Sequence, residues 1–214
     1  MIAGAATAAG ALVAAYPLLM RSRCLTWGAT PDEARQRLPG DELLPGAQMI
    51  TTRAIGIDAP AEAVWPWLIQ MGSGRAGAYS YDWIENLFGL DMHSASVILP
   101  QFQDLKLGDE LPMGRGRPAM RVVRLDPGHV FALQVAGGNW VWIFALLPLD
   151  GGTRLLSRNR ISLPSASAPA RAAWSLLMEP GSLIMERKML LGIKERAERL
   201  ARDRAELNWP RPAS

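Results

Sequence analysis

The chain has 214 residues, 49% of them hydrophobic, with 23 basic and 20 acidic side chains and a formal net charge of +3. This composition excludes a disordered chain and leaves room for one domain of ordinary size with appendages. The arginines are spread rather than gathered on one face, which argues against nucleic acid as a partner. One cysteine and two scattered histidines give neither an intrachain disulfide nor a metal-ligand spacing.

Residues 1–20 (MIAGAATAAGALVAAYPLLM) carry no charged side chain, and the first charges are Arg21 and Arg23. A run of about 20 apolar residues is long enough to cross a bilayer as a helix. A secretory signal would place basic residues before the run, and none is there. Residues 1–23 are therefore read as a single-pass anchor, with Arg21 and Arg23 holding the body on the cytoplasmic side, against the alternatives of a cleaved export signal or a buried helix outside any membrane. Residues 24–47 hold Pro31, Pro39 and Pro45 and read as a linker with one short helix. Thr30 caps that helix, Pro31 takes its first position, and Asp32 and Glu33 face its positive end.

MITTRAIGID, residues 49–58, is rich in β-branched residues and reads as a strand. A helix follows over about 60–71, with Asp58 as its cap and Val64, Trp65, Leu68 and Ile69 on its apolar face. Next comes QMGSGRAGAYSYDW, in which Gly72, Gly74 and Gly77 spell G-x-G-x-x-G. A dinucleotide turn requires a strand before the first glycine and a helix at the last. Here a helix comes first, so the glycines end it and form a hinge. A second short helix, capped by Ser80, runs through 80–90.

Residues 91–118 mix loop and short strand. Strands are expected at 119–128, 129–138, 139–152 and 153–164, joined by turns such as Gly137-Gly138-Asn139 and Asp150-Gly151-Gly152. ARAAWSLLM at 170–178 is helical in pattern, Pro180-Gly181 breaks the chain, and a long helix occupies 182–207. Met189, Ile193, Ala197 and Leu200 form its apolar stripe. Glu195 with Arg199, and Glu198 with Arg202, are i,i+4 pairs on its wet face. The tail 208–214 reads as loose.

The order of strand, two short helices, antiparallel meander and long helix is the helix-grip arrangement. The segment IDAPAEAVWPWLIQMGSGRAGAYSYDWIENLFGL resembles the START-like, polyketide cyclase/dehydrase-related superfamily (SRPBCC). Ile57 to Trp65 match its first strand-to-helix join. WGAT at 27–30, LPGDE at 38–42, EPG at 179–181 and MERKMLLG at 185–192 resemble a bacterial subgroup with an N-terminal hydrophobic segment. The resemblance covers about 27–200. It implies an α+β fold over 48–207, with a curved antiparallel sheet wrapped around the C-terminal helix and two short helices after the first strand. A cavity for a small hydrophobic ligand, such as a lipid or polyketide-like molecule, would lie between sheet and helix.

Alternation then assigns side chains to that cavity. Along 153–163, Ser157 and Asn159 share the inner face with Leu155, while Arg154, Arg158 and Arg160 share an outer face read as wet. Two polar groups on an apolar face serve either a ligand or an internal network. Both faces of 140–147 are apolar, so the outer one is covered by another chain or by 24–47, or the strand is central. Trp140 and Trp142 line the pocket or pack the core. Met185 and Met189 face it from the helix.

The densest polar-aromatic cluster is Tyr79, Tyr81, Asp82, Trp83, Glu85, Asn86 and, a few residues on, His93. It supports a second reading, a cyclase or dehydratase using His93 with Asp82 or Glu85, against a plain reading in which both acids are the acidic first turn of a helix. A third reading is an oligomer formed through the apolar outer sheet face. No cofactor or metal is expected: the chain has no G-x-S-x-G, H-E-x-x-H or phosphate-loop lysine.

Overall fold

The computed structural model describes residues 20–114, 116–163 and 168–208. One antiparallel sheet of six strands organises it, in the order β1-β6-β5-β4-β3-β2. The strands are β1 (Met49–Ile57), β2 (Glu110–Leu111), β3 (Met120–Asp126), β4 (Val130–Val135), β5 (Trp140–Leu149) and β6 (Gly152–Ile161). Hairpins join β3 to β6 in sequence order, as the glycine-rich turns require. β1 closes the other side on β6, with Arg53 opposite Ser157 and Thr51 opposite Asn159. Five α-helices accompany the sheet among the described residues: α1 (Arg21–Leu25), α2 (Pro31–Arg35), α3 (Ala61–Ile69), α4 (Asp82–Leu87) and α5 (Ala168–Asn208).

The concave face of the sheet grips α5, which gives the helix-grip fold. Ile57, Leu155, Phe144, Phe131 and Val122 meet Met189, Leu190, Ile193 and Ala197 of α5 and Val64, Trp67 and Leu68 of α3. Each such side chain fully removed from water contributes about 1.5–3 kcal/mol, so this layer is the main source of stability. The apolar stripe expected on α5 is the stripe that packs. The helix does not break at Pro180, however: it runs through the proline. Proline removes one donor, and the other turns of a long, packed helix hold the direction.

The outer face of the sheet is dry, and here the structure corrects the sequence reading. Leu38 packs on Ala54, Ala145 and Leu156, while Leu43 and Leu44 pack on Val130, Ala132, Val141 and Ile143. Arg158 and Arg160, expected in water, are 2% and 8% exposed. Arg158 donates to Asp41 and to the carbonyls of Glu33, Ala34 and Gln36. Arg160 donates to Asp41 and to the carbonyls of Leu44 and Pro45. The segment that looked like a linker is thus a second layer, built from a polar-capped turn and two leucine contacts. Residues of the same chain already cover the centre of this face, which leaves an oligomer only its margins, such as Ile50 and Leu149.

Smaller departures have equally local causes. Thr30 forms the expected capping box with Glu33, but α3 starts at Ala61 with no side-chain cap, and the backbone N–H of Asp58 donates to Glu198. Ser80 does not cap α4 and instead donates to Glu85. Glu198 makes its i,i+4 pair with Lys194 rather than with Arg202, and Arg199 donates to the carbonyl of Ser96, a tertiary contact in place of the pair expected with Glu195. Among the described residues no helix is long and apolar enough to cross a membrane. Of the expected anchor 1–23, residues 1–19 lie outside the described residues and Arg21 and Arg23 belong to α1; of the expected tail 208–214, Asn208 ends α5 and 209–214 lie outside the described residues.

Candidate functional site

The residues assigned to a site from sequence separate into two groups. The first is the turn and helix after α3. Gly72 and Gly77 bond each other through both backbone groups, at 3.0 and 3.2 Å. Both have positive φ, 135° and 67°, which glycine adopts without steric cost. A Cβ on Gly77 would stand 2.8 Å from the carbonyl carbon of His93. The motif is therefore a pinned turn that carries the 91–95 loop against it, not a nucleotide cradle and not a hinge.

Tyr79 follows at φ 58°, an uncommon conformation for a bulky side chain. Its surroundings fix it there. The ring is 2% exposed, its hydroxyl donates to the carbonyl of Trp67 at 3.0 Å and accepts from Gln70 at 2.9 Å, and the Arg196 guanidinium lies over the ring at 4.7 Å. Burial pushes the phenol far above its ordinary pKa, so it remains a neutral donor. Asp82 accepts from the backbone N–H and hydroxyl of Ser94 at 2.7 and 2.6 Å. Asn86 bonds both backbone groups of Met92. Tyr81 is the N-cap of α4 and half-buried. These side chains fasten a loop.

His93 is 77% exposed and bonds Asp91 at 3.1 Å. Glu85 is raised in pKa by burial and accepts a hydrogen bond from Ser80. The acid–base group expected from His93 with Asp82 or Glu85 is not assembled, because each acid serves its own turn and the imidazole faces water. An open groove of about 700 Å³ runs beside this loop, with Ser73, Asn86, Leu90, Asp91 and His93 among its lining residues. It lies outside the gripped helix.

The second group lies on the concave face, where β1, β6 and β5 pass beneath the first half of α5. Ser157 and Asn159 point inward, as alternation requires. The indole N–H of Trp142 donates to Ser157 Oγ and that of Trp140 to Asn159 Oδ1, both at 2.9 Å. The two indoles stack, centroids 6.1 Å apart. Both remain half-buried, as does Met185, whereas Phe144 and Leu155 further along the same face are fully covered. Met189 is 2% exposed and belongs to the core.

Two residues at the centre of this cluster were missed from sequence. Arg53 is fully buried and pairs with Glu186 of α5. It also donates to the carbonyl of Cys24 at 3.0 and 2.8 Å and to Ser182 Oγ at 2.9 Å. Glu186 accepts from Asn159 Nδ2 at 3.2 Å as well. Its second oxygen, Oε1, is buried as well. Burial pushes the Glu186 carboxyl up in pKa, while Arg53 and Ser157 hold it down. The buried guanidinium has Glu186 as its anionic partner, so the pair carries opposite charges and a net charge of zero. The signal for both was present. Arg53 shares the inward parity of Ile55 and Ile57, and the apolar stripe of α5 continued backward in steps of three and four reaches Glu186 and Ser182. Next along lies Glu179, which is buried and accepts from Arg21.

No family model matches the chain, and no curated protein matches it. Solved structures of similar architecture do. A Polyketide_cyc-like protein from Corynebacterium glutamicum is 19% identical over 77% of this chain and 97% of its own, with a TM-score of 0.34. An AHSA1-like protein from Aeromonas hydrophila is 15% identical over 78% of this chain and 100% of its own, at 0.41. A protein from Nitrosomonas europaea is 12% identical over 76% of this chain and 99% of its own, at 0.45. The chain's own sheet order and gripped helix make it a helix-grip protein, the fold implied by its resemblance to the START-like, polyketide cyclase-related superfamily.

Proposed function

We propose that the protein binds a small, largely apolar molecule on the concave face of the sheet, beneath the first half of α5. One observation carries this reading. Trp140, Trp142 and Met185 stay half-buried on the inner face, beside a buried polar cluster, whereas Phe131, Phe144 and Leu155 of the same face are fully covered. Aromatic walls with a few fixed polar groups are the usual make-up of a small-molecule site. The uncharged run 1–20 supports a membrane-anchored, cytoplasm-facing placement, in which an apolar ligand would be close at hand.

Titration of the full chain with the apolar fluorophore N-phenyl-1-naphthylamine tests the binding reading. Saturable one-to-one binding is expected. Met185→Trp, which fills the opening, should weaken it by about tenfold or more, the equivalent of one lost aromatic contact. Binding that does not saturate, or that ignores Met185→Trp, would count against the site. Fractionation of cells expressing the full chain and a chain beginning at Arg23 tests the anchor, and recovery of both in the soluble fraction would end that idea.

A further inference from the structure

We propose that the outward flank of the first half of α5 lies on an anionic phospholipid bilayer. The inference rests on the membrane-anchored placement above and adds the surface that meets the lipid. Leu177, Met178 and Ile184 are 74%, 38% and 54% exposed, and Met185 is half-buried. Leu177 and Ile184 stand seven residues apart on the helix, as do Met178 and Met185, so each pair shares one line along it. Glu179 and Glu186 share the opposite line and are turned into the protein. An exposed apolar strip of this kind marks a surface that meets lipid or another apolar partner.

Charge and connectivity choose the lipid. The acids of this region are withdrawn from the surface: Glu179 and Glu186 are buried, with Arg21 and Arg53 as partners. Arg23, Arg187 and Lys188 are exposed. Over the described residues 20–25 and 175–190 the exposed charges are therefore all basic. Apolar side chains flanked by bases suit a helix lying in an anionic interface, and the cytoplasmic leaflet supplies that negative surface. Met20 is 50% exposed, and next to it Arg21 donates to Glu179 at 3.1 Å. The uncharged run 1–20 thus leaves the domain within a turn of Leu177 and Met178. A bilayer entered by that run meets this flank of α5 first.

The full chain, reconstituted into vesicles of phosphatidylcholine and phosphatidylglycerol with a nitroxide on the upper acyl chain, tests this. Cys24 is buried, so a thiol-reactive fluorophore goes to the cysteine introduced by Ile184→Cys or, as reference, by Asp150→Cys. Asp150 is exposed in the turn after β5, roughly 30 Å along the strand from Trp140. Quenching by the lipid nitroxide should be at least about threefold stronger at 184 than at 150. That difference should shrink at least about twofold in vesicles of phosphatidylcholine alone, and equally in the variant Arg187→Glu with Lys188→Glu. Quenching that ignores both changes overturns the claim on anionic lipid. Equal quenching at 184 and 150, in a chain that floats with the vesicles, overturns the docking and leaves the anchor standing. A label at 184 that is shielded but not quenched, in a chain that cross-links as a dimer, gives the flank to a second copy and overturns the docking as well. A chain that does not float with the vesicles removes the anchor and the docking together.

Discussion

Arg158 Nη1 donates to Asp41 Oδ2 at 2.7 Å across 117 residues of sequence, tying the middle of a central strand to the segment that covers its outer face. Asp41 Oδ1 receives Arg160 at 3.2 Å, so one carboxylate compensates two buried cations, and the backbone carbonyls of residues 33–36 and 44–45 take most of their remaining donors. Asp41→Ala should therefore destabilise the fold by about 3–5 kcal/mol, the range for stripping one partner from a buried pair. Urea denaturation of the variant measures this. A loss below about 1 kcal/mol, the level of an exposed pair, would show the cluster to be idle.

The same layer predicts the fate of a chain that starts at Met49. Val141, Ile143, Ala145 and Leu156, all at or below 1% exposure, would face water together with Arg158 and Arg160. A continuous apolar sheet face drives association. The shortened chain is expected to aggregate or to bind an apolar dye strongly. A soluble monomer with the thermal midpoint of the longer chain would refute the covering role.

Arg53 and Glu186 should behave non-additively. Either residue alone replaced by Met leaves a buried charge and is expected to lose about 3–5 kcal/mol, while the double replacement loses far less, because apolar side chains of similar volume fill the same space. A denaturation cycle of the four proteins reads the coupling directly.

Tyr79 offers a test of the packing around the loop that holds Asp82 and His93. Tyr79→Phe removes the donor to the Trp67 carbonyl and the acceptor for Gln70, and should lose about 1–3 kcal/mol. A methyl group on Gly192 would stand 2.5 Å from the Tyr79 carbonyl oxygen, so Gly192→Ala should lose a comparable amount, about 1–3 kcal/mol, by overpacking. Thermal melts of both variants check the two contacts.

The cover should also loosen in acid. Hydrogen bonding from Arg154, at 2.7 Å, holds the Glu33 carboxyl below its ordinary value of 4.5. The stabilisation is complete above that ordinary value and is lost as pH falls through the lowered one. Melts of the wild-type chain and of Glu33→Gln from about pH 6 to about pH 3 should converge, the wild type losing its advantage on the acid side. Parallel curves would remove Glu33 from the account.

Much of this architecture is legible one residue at a time. Period-two alternation placed Ser157 and Asn159 inward and separated them from Arg154, Arg158 and Arg160. Helical spacing marked Met189, Ile193 and Ala197 as the gripped stripe. The helix in front of Gly72 removed the nucleotide reading before any coordinates were needed. These are local properties: backbone geometry sets the period, and the period sets the face.

What faces each side chain is not local, and only the tertiary structure decided it. Parity put Arg158 and Arg160 outside the sheet, but whether outside meant water depended on where residues 33–45 fold back. Two acids beside a histidine looked like chemistry until Asp82 closed on Ser94, Glu85 on Ser80, and His93 turned to solvent. Arg53 and Glu186 lie 133 residues apart, and each alone reads as one more surface charge. Their pairing exists because the sheet curls around α5 and leaves each buried charge no compensation but the other.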